Sequence, residues 1–186
     1  PAERAALTRG LVIGDDSDQP DAMVDRFRAS GLAHLTAVSG QNVALVLAAA
    51  GPLLRRVRTW PRWALSIALI GWFVVLTRAE PSVLRAGAMA VLGATAVLLG
   101  RRREPARLLL VAVTVLVLVD PLLAWSVGFL LSVGATAGVT VVGPWLQRRL
   151  VRLGPLAAPV AVTIGAQAGV AVPSLLVFGQ LSLIGV

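Results

Sequence analysis

The 186-residue sequence contains no cysteine, no lysine and no tyrosine, and it has a single histidine. Without cysteine there is no disulfide framework, thiolate metal site or cysteine nucleophile. One histidine excludes a multi-histidine metal cage. Charge is also scarce. Asp, Glu, Lys and Arg make up 14% of the chain and hydrophobic residues 57%, where a soluble domain carries about 25% charged and about 45–50% apolar residues. So little charge does not cover a soluble surface, and mean hydropathy is +0.84. The composition excludes a disordered chain, a collagen-like chain and an ordinary cytosolic enzyme, and it points to a polytopic membrane protein. The sequence starts at Pro1 without initiator Met or signal peptide and stops at Val186 inside an apolar run. Both ends read as cuts in a longer protein.

The basic residues present are all arginine, 17 against 9 acids, a formal +8. In a soluble domain a pI near 11.8 would suggest nucleic acid. In a membrane protein the positive-inside rule accounts for most of them. Residues 1–31 stand apart, with six acids against four arginines, a net −2 that leaves +10 on the remaining 155 residues. They read as a short extracytoplasmic or interfacial segment, with an Asp-rich loop and an amphipathic helix near Ala22–Ala29.

From residue 32 onward the chain reads as one transmembrane domain of apolar runs: Leu32–Leu54, Trp60–Thr77, Ser82–Leu99, Pro105–Val119, Leu122–Trp145 and Pro155–Val172, with a seventh truncated near Leu181. Spanning takes about 20 apolar residues. The expected fold is all-α, a polytopic membrane helix bundle of about six spans plus a truncated seventh. Four arginines follow the first run (55, 56, 58, 62), four the third (101–103, 107) and three the fifth (148, 149, 152), while the alternate turns hold no Arg cluster. This alternation puts those loops in the cytoplasm, and residues 1–31 with the turns near Glu80, Asp120 and Pro173 outside. Pro61, Pro81, Pro105, Pro121 and Pro155 fall at helix starts, where the missing N–H is harmless. Asp120 before Pro121 reads as an N-cap. The fourth run, about 22 Å at 1.5 Å per residue, is shorter than a bilayer core of about 30 Å. Asp120 is therefore expected below the outer surface, in the protein interior.

Three constellations do not belong in lipid. GLAHLTAVSGQNV packs His34, Thr36, Ser39, Gly40, Gln41 and Asn42 into one run. His34 and Gln41 share a face two turns apart, and Ser39 and Asn42 share the adjoining one. Such density lines a cavity or binds another helix, with Gly40 allowing close approach. Arg78, Glu80 and Arg85 bracket the turn after the second run. Arg85, one turn past Pro81, is costly in lipid unless paired or wetted. Glu80 and Asp120 are candidate partners, and a snorkelling or salt-bridged structural role is the alternative. Asp120 opens the third constellation, in which Gly128, Ser132, Gly134, Thr136 and Gly138 form a small-residue face suited to tight packing. Gln167 and Gln180 are weaker polar signals. All these sites fall in the outer half of the expected topology, as a polar vestibule opening outward would.

At these residues the sequence resembles the ComEC competence family, inner-membrane proteins of bacterial DNA uptake. GLAHLTAVSGQNV is similar to the family's His-Leu-Leu-Ala-Ile-Ser-Gly-Leu-His-Val signature. Ile13–Ser17, Glu80–Met89, Asp120–Gly138 and Phe178–Val186 match further stretches in the same order. One departure is Asn42, which stands where the family's second histidine is usual. It retains a donor and an acceptor but carries no proton or metal role. The resemblance implies a channel for single-stranded DNA, with His34, Ser39, Gln41, Asn42, Arg78, Glu80, Arg85, Asp120, Gln167 and Gln180 as pore or DNA candidates. It implies no catalytic residue, metal or cofactor in this stretch. The family's oligonucleotide-binding and metallo-β-lactamase-like domains lie outside it. The implied partners are single-stranded DNA, the bilayer, an extracytoplasmic DNA receptor and a cytoplasmic helicase-type protein, and a homo-oligomer is compatible. Two other readings stand beside it. A small-anion transporter would show paired repeats, which are not obvious here. An intramembrane enzyme would need Ser39 within reach of His34, yet five residues put them about 140° apart beyond a full turn.

Overall fold

The computed structural model describes residues 40–178, which fall in two compact units, residues 40–94 and 95–178. The expected amphipathic segment within residues 1–31 and the truncated seventh span lie outside the described residues. Among the described residues all regular structure is helical. With no water to satisfy backbone groups in a bilayer, helices meet that demand internally.

The first unit contains α1 (Gly40–Leu54), α2 (Thr59–Leu76) and most of α3 (Pro81–Leu98). Pro81 opens α3, where its fixed φ suits the first turn. Val43 of α1, Phe73 of α2 and Val83 of α3 form the core, with Val46, Leu47, Val74, Ala86 and Ala90 packed around them. Gly87 lets α3 approach α2 closely. A Cβ there would lie 3.2 Å from a Val74 methyl and 3.3 Å from an Ile70 methyl. The turn between α2 and α3 is tight. Thr77 N–H donates to Phe73 O, Ala79 N–H to Val74 O, and Glu80 N–H to Thr77 O. It places Arg78 at φ 52° and Ala79 at φ 57°, a left-handed conformation unusual without glycine.

The second unit begins with α4 (Pro105–Val119). A 3-10 turn, Pro121–Trp125, follows, and Asp120 caps it by accepting the Leu122 N–H at 3.0 Å. The expected cap is present, but the long helix does not start there. Ser126 caps again, accepting from the Phe129 N–H, and α5 runs Val127–Ala137. A π turn at Gly138–Val142 leads into α6 (Gly143–Arg149). Pro144 lacks the N–H that would continue the α ladder, and the Gly143 N–H instead reaches back five residues to Gly138 O. A 3-10 segment, Val151–Leu156, kinks at Gly154 (φ 56°) into α7 (Ala157–Phe178). The sixth expected run was to end at Pro173. Helix α7 passes through it.

Both irregularities lie where α5–α6 packs against α7. Gly134 and Gly138 face Gly169 and Gly165. A Cβ on Gly138 would fall on the Gly165 carbonyl, and one on Gly134 would lie 2.5 Å from Gly169 O and 3.0 Å from Pro173 Cγ. This is backbone against backbone, which only glycine permits. Pro173 leaves Gly169 O without its usual donor, and that carbonyl is the one pressed against Gly134. Gly143 follows Gly138 by five residues rather than four. The wide π turn absorbs the extra residue, and Gly143 still lies against α7: a Cβ on Gly165 would stand 3.2 Å from Gly143 N, and one on Gly143 would stand 3.9 Å from Ala161 O. Ser132, Thr136 and Thr140 share the region. The Thr136 and Thr140 hydroxyls donate to their own helix, to Ser132 O and Thr136 O.

Among the described residues, four stretches are long and apolar enough to cross a membrane: Thr59–Leu76, Pro81–Leu98, Val127–Arg149 and Val151–Leu176. Gly40–Leu54 and Pro105–Val119 are shorter apolar helices. Large apolar side chains such as Val75, Leu110, Leu118 and Leu176 are exposed, as a lipid-facing surface requires. The tryptophans add to this: Trp60, Trp63, Trp72, Trp125 and Trp145 all sit near helix ends, where membrane interfaces hold amphipathic rings. The molecule is a membrane helix bundle.

Candidate functional site

Among the described residues the buried polar side chains are Thr77 and Arg85, both in the first unit. Thr77 is satisfied within its own helix, its hydroxyl donating to Phe73 O at 3.0 Å and Val74 O at 3.1 Å. It closes α2 and holds the left-handed turn that follows. Arg85 is of another kind. It lies one turn into an otherwise apolar helix and is only 8% exposed, where a guanidinium needs polar company.

The first residue of α1 makes the room for it. A Cβ built on Gly40 would stand 2.6 Å from Arg85 Nη2, 2.9 Å from Ala86 Cβ and 3.2 Å from Ser82 O. The guanidinium therefore lies across the bare backbone at the start of α1. On its own helix Arg85 Nη1 donates to Met89 Sδ at 3.4 Å, a soft, weak acceptor. Two residues earlier on the same helix, Val83 is fully buried against Val43 and Phe73. This packing fixes α3 in rotation, and so fixes the direction of Arg85. The arrangement is a cation with a planar fork of donors, held on a helix inside an apolar unit. Such a group recognises an oxyanion, phosphate above all.

The structure brings Gly40 to Arg85, as the close approach expected at that glycine requires. Gln41 is exposed and Asn42 half-buried, both in the first turn of α1. Arg78 and Glu80 are exposed on the α2–α3 turn. His34, Ser39 and Gln180 lie outside the described residues. Asp120 corrects the expectation of an interior position. It is exposed, and its carboxylate is occupied in capping Leu122 N–H, because the 3-10 turn extends the chain before α5 begins. Gln167 is half-buried in α7, between the two glycines that touch α5. The small-residue face is at the α5–α7 contact for Gly134 and Gly138, but Gly128 meets nothing within 4 Å. Reasoning from sequence missed Met89 and Thr77. Met89 sits at i+4 from Arg85, a spacing that places it on the same face. Thr77 precedes the positive-φ pair and is the only hydroxyl at that helix end.

Comparison with known proteins gives two findings. The sequence profile of the Competence protein family matches residues 11–186. ComE operon protein 3 of Bacillus subtilis (strain 168) is 29% identical over 189 residues, covering 100% of this chain and 24% of that protein. The chain thus spans about a quarter of the length of that curated relative. No solved structure matches.

Proposed function

The chain belongs to the Competence protein family, and from that premise we propose that its helices form part of a membrane path for single-stranded DNA taken up during competence. The observation that carries the reading is Arg85, a buried guanidinium seated on Gly40 at the start of α1. A conducting path needs cationic and hydrogen-bonding groups that hold each phosphate weakly enough to release it. Arg85 supplies the fork inside the bundle, and exposed Arg78 supplies charge at the turn before it. Gln41 and Asn42 add neutral donors and acceptors. In this reading the N-terminal segment and the Arg78–Glu80 turn face outward, and the arginine loops at 55–62, 101–107 and 148–152 face the cytoplasm. An extracytoplasmic DNA receptor would deliver the strand and a cytoplasmic helicase-type protein would draw it in. The role is passage, without a chemical step performed by these residues.

The test is Arg85→Gln in the full-length protein, with uptake of labelled DNA and protein abundance measured together. Uptake should fall at unchanged abundance. Arg85→Lys should keep part of it, since Lys retains the charge but not the fork. Normal uptake by an abundant Arg85→Gln protein overturns the reading. Import of a small labelled anion, and not DNA, by proteoliposomes would favour a transporter instead.

A further inference from the structure

The arginines at the α6–α7 corner stand among exposed apolar side chains and a tryptophan. Arg148, Arg149 and Arg152 are exposed, and none of the residues from 121 to 186 is an acid. The Arg149 guanidinium lies 4.8 Å from the centre of the Trp145 ring, a cation–π contact that fixes its position. The following 3-10 segment presents Val151, Leu153 and Leu156 to the outside, interleaved with Arg152. Val151 is 69% and Leu156 62% exposed. Gly154, at φ 56°, turns the segment and keeps it outside the packed helices. The loop at Arg101–Arg103 lacks this pattern. It holds no tryptophan and includes Glu104.

We infer that this corner is a binding site for the phosphate headgroup of an anionic phospholipid, in the leaflet on the arginine-rich side of the membrane. The reason is the mixture. A strand in the cytosol would engage the arginines and leave Val151, Leu153 and Leu156 in water. At the headgroup–acyl boundary both demands are met. The apolar side chains enter the acyl region, the indole lies at headgroup level, and the guanidinium groups donate to the phosphate. The inference requires membrane placement only and is independent of the path proposed for DNA.

The experiment uses the purified full-length protein in an uncharged detergent, titrated with phosphatidylglycerol or phosphatidylcholine, with retained lipids counted by native mass spectrometry. Phosphatidylglycerol should be preferred. The triple variant Arg148→Gln/Arg149→Gln/Arg152→Gln should lose at least about tenfold in that preference, the value of one charge-assisted hydrogen bond. Replacing the same three residues by Lys should keep most of it. Val151→Ser/Leu153→Ser/Leu156→Ser should weaken lipid retention while leaving binding of a single-stranded oligonucleotide unchanged. An undiminished preference in the Gln variant overturns the inference. So does displacement of phosphatidylglycerol by the oligonucleotide together with wild-type lipid retention in the Ser variant, which would make the corner a nucleic-acid surface.

Discussion

Gly40 in the first unit and Gly138 in the second both stand where a Cβ would collide, and they differ in what fills the space. At Gly138 the neighbour is the backbone of Gly165, which has no side chain to move. At Gly40 the nearest atom is Arg85 Nη2, at 2.6 Å, the far end of a flexible side chain. The first contact locks two helices together. The second leaves room for the guanidinium of a buried arginine. The same residue type thus admits a neighbouring backbone in one unit and the end of a charged side chain in the other.

The largest expected effect follows from the rigid contact. Gly138→Ala should lower the thermal midpoint of the purified full-length protein by an amount equivalent to about 1–3 kcal/mol, the usual cost of overpacking. Gly138→Val should abolish accumulation of folded protein. A Gly138→Ala protein that melts like wild type would break the comparison, because it would show that α5 and α7 are not in backbone contact.

Gly40→Ala should act on function before stability. The added methyl pushes the guanidinium aside, so DNA uptake should fall severalfold while abundance drops less than for Gly138→Ala. The sharper measurement is a double-mutant cycle with Arg85→Lys. The narrower ammonium leaves room for the methyl, so Gly40→Ala should cost less uptake in the Lys background. Equal cost in both backgrounds would assign the effect to the clash of the added methyl with Ala86 Cβ and Ser82 O instead, which a Cβ on Gly40 would approach to 2.9 and 3.2 Å.

A smaller effect is expected at the turn that precedes α3. Ala79 holds φ 57°, where a side chain costs roughly 1–2 kcal/mol relative to glycine. Ala79→Gly should therefore raise the thermal midpoint by the equivalent of about 1 kcal/mol or less, because glycine also widens the unfolded ensemble. Ala79→Val should lower it. A destabilised Ala79→Gly protein would contradict the left-handed turn.

Much of the bundle was legible because composition and charge report directly on lipid. The second, third and fourth apolar runs match α2, α3 and α4 to within a residue at each end, since Pro81, Pro105 and the arginine loops mark their ends. The fifth and sixth runs were less legible. Pro173 reads as a stop, yet α7 continues through it, packed against Gly134. That partner is far away in sequence. The π turn likewise lies against α7, where a Cβ on Gly165 would stand 3.2 Å from Gly143 N, a tertiary contact with no local signature beyond Pro144. At the site, the cost of burying a charge singled out Arg85, and glycine's small size singled out Gly40. That one seats the other was not legible, because nothing in either run specifies its neighbour. Asp120 was misplaced for a related reason. The length of α4 suggested burial, but the 3-10 turn after it keeps the carboxylate at the surface.

The smallest effect tests the outer face of the first unit. Gly71 sits in the middle of α2, and a Cβ built there meets nothing within 4 Å. In water, glycine in a helix interior costs about 0.5–1 kcal/mol relative to alanine. Within a bilayer that figure is an upper bound, since the helix forms before the helices associate and the backbone has little freedom left to lose. Gly71→Ala should therefore leave the thermal midpoint at or slightly above the wild-type value, with uptake unchanged. The useful control is Gly87→Ala, whose methyl would press on Val74 and Ile70 at 3.2 and 3.3 Å and should be mildly destabilising. If Gly71→Ala instead destabilised the full-length protein by more than Gly87→Ala, the bare face of α2 would have to be covered, by another part of the longer chain or by a second copy. Measuring the Gly71→Ala midpoint at several protein concentrations separates the two, because only the second copy makes it concentration-dependent.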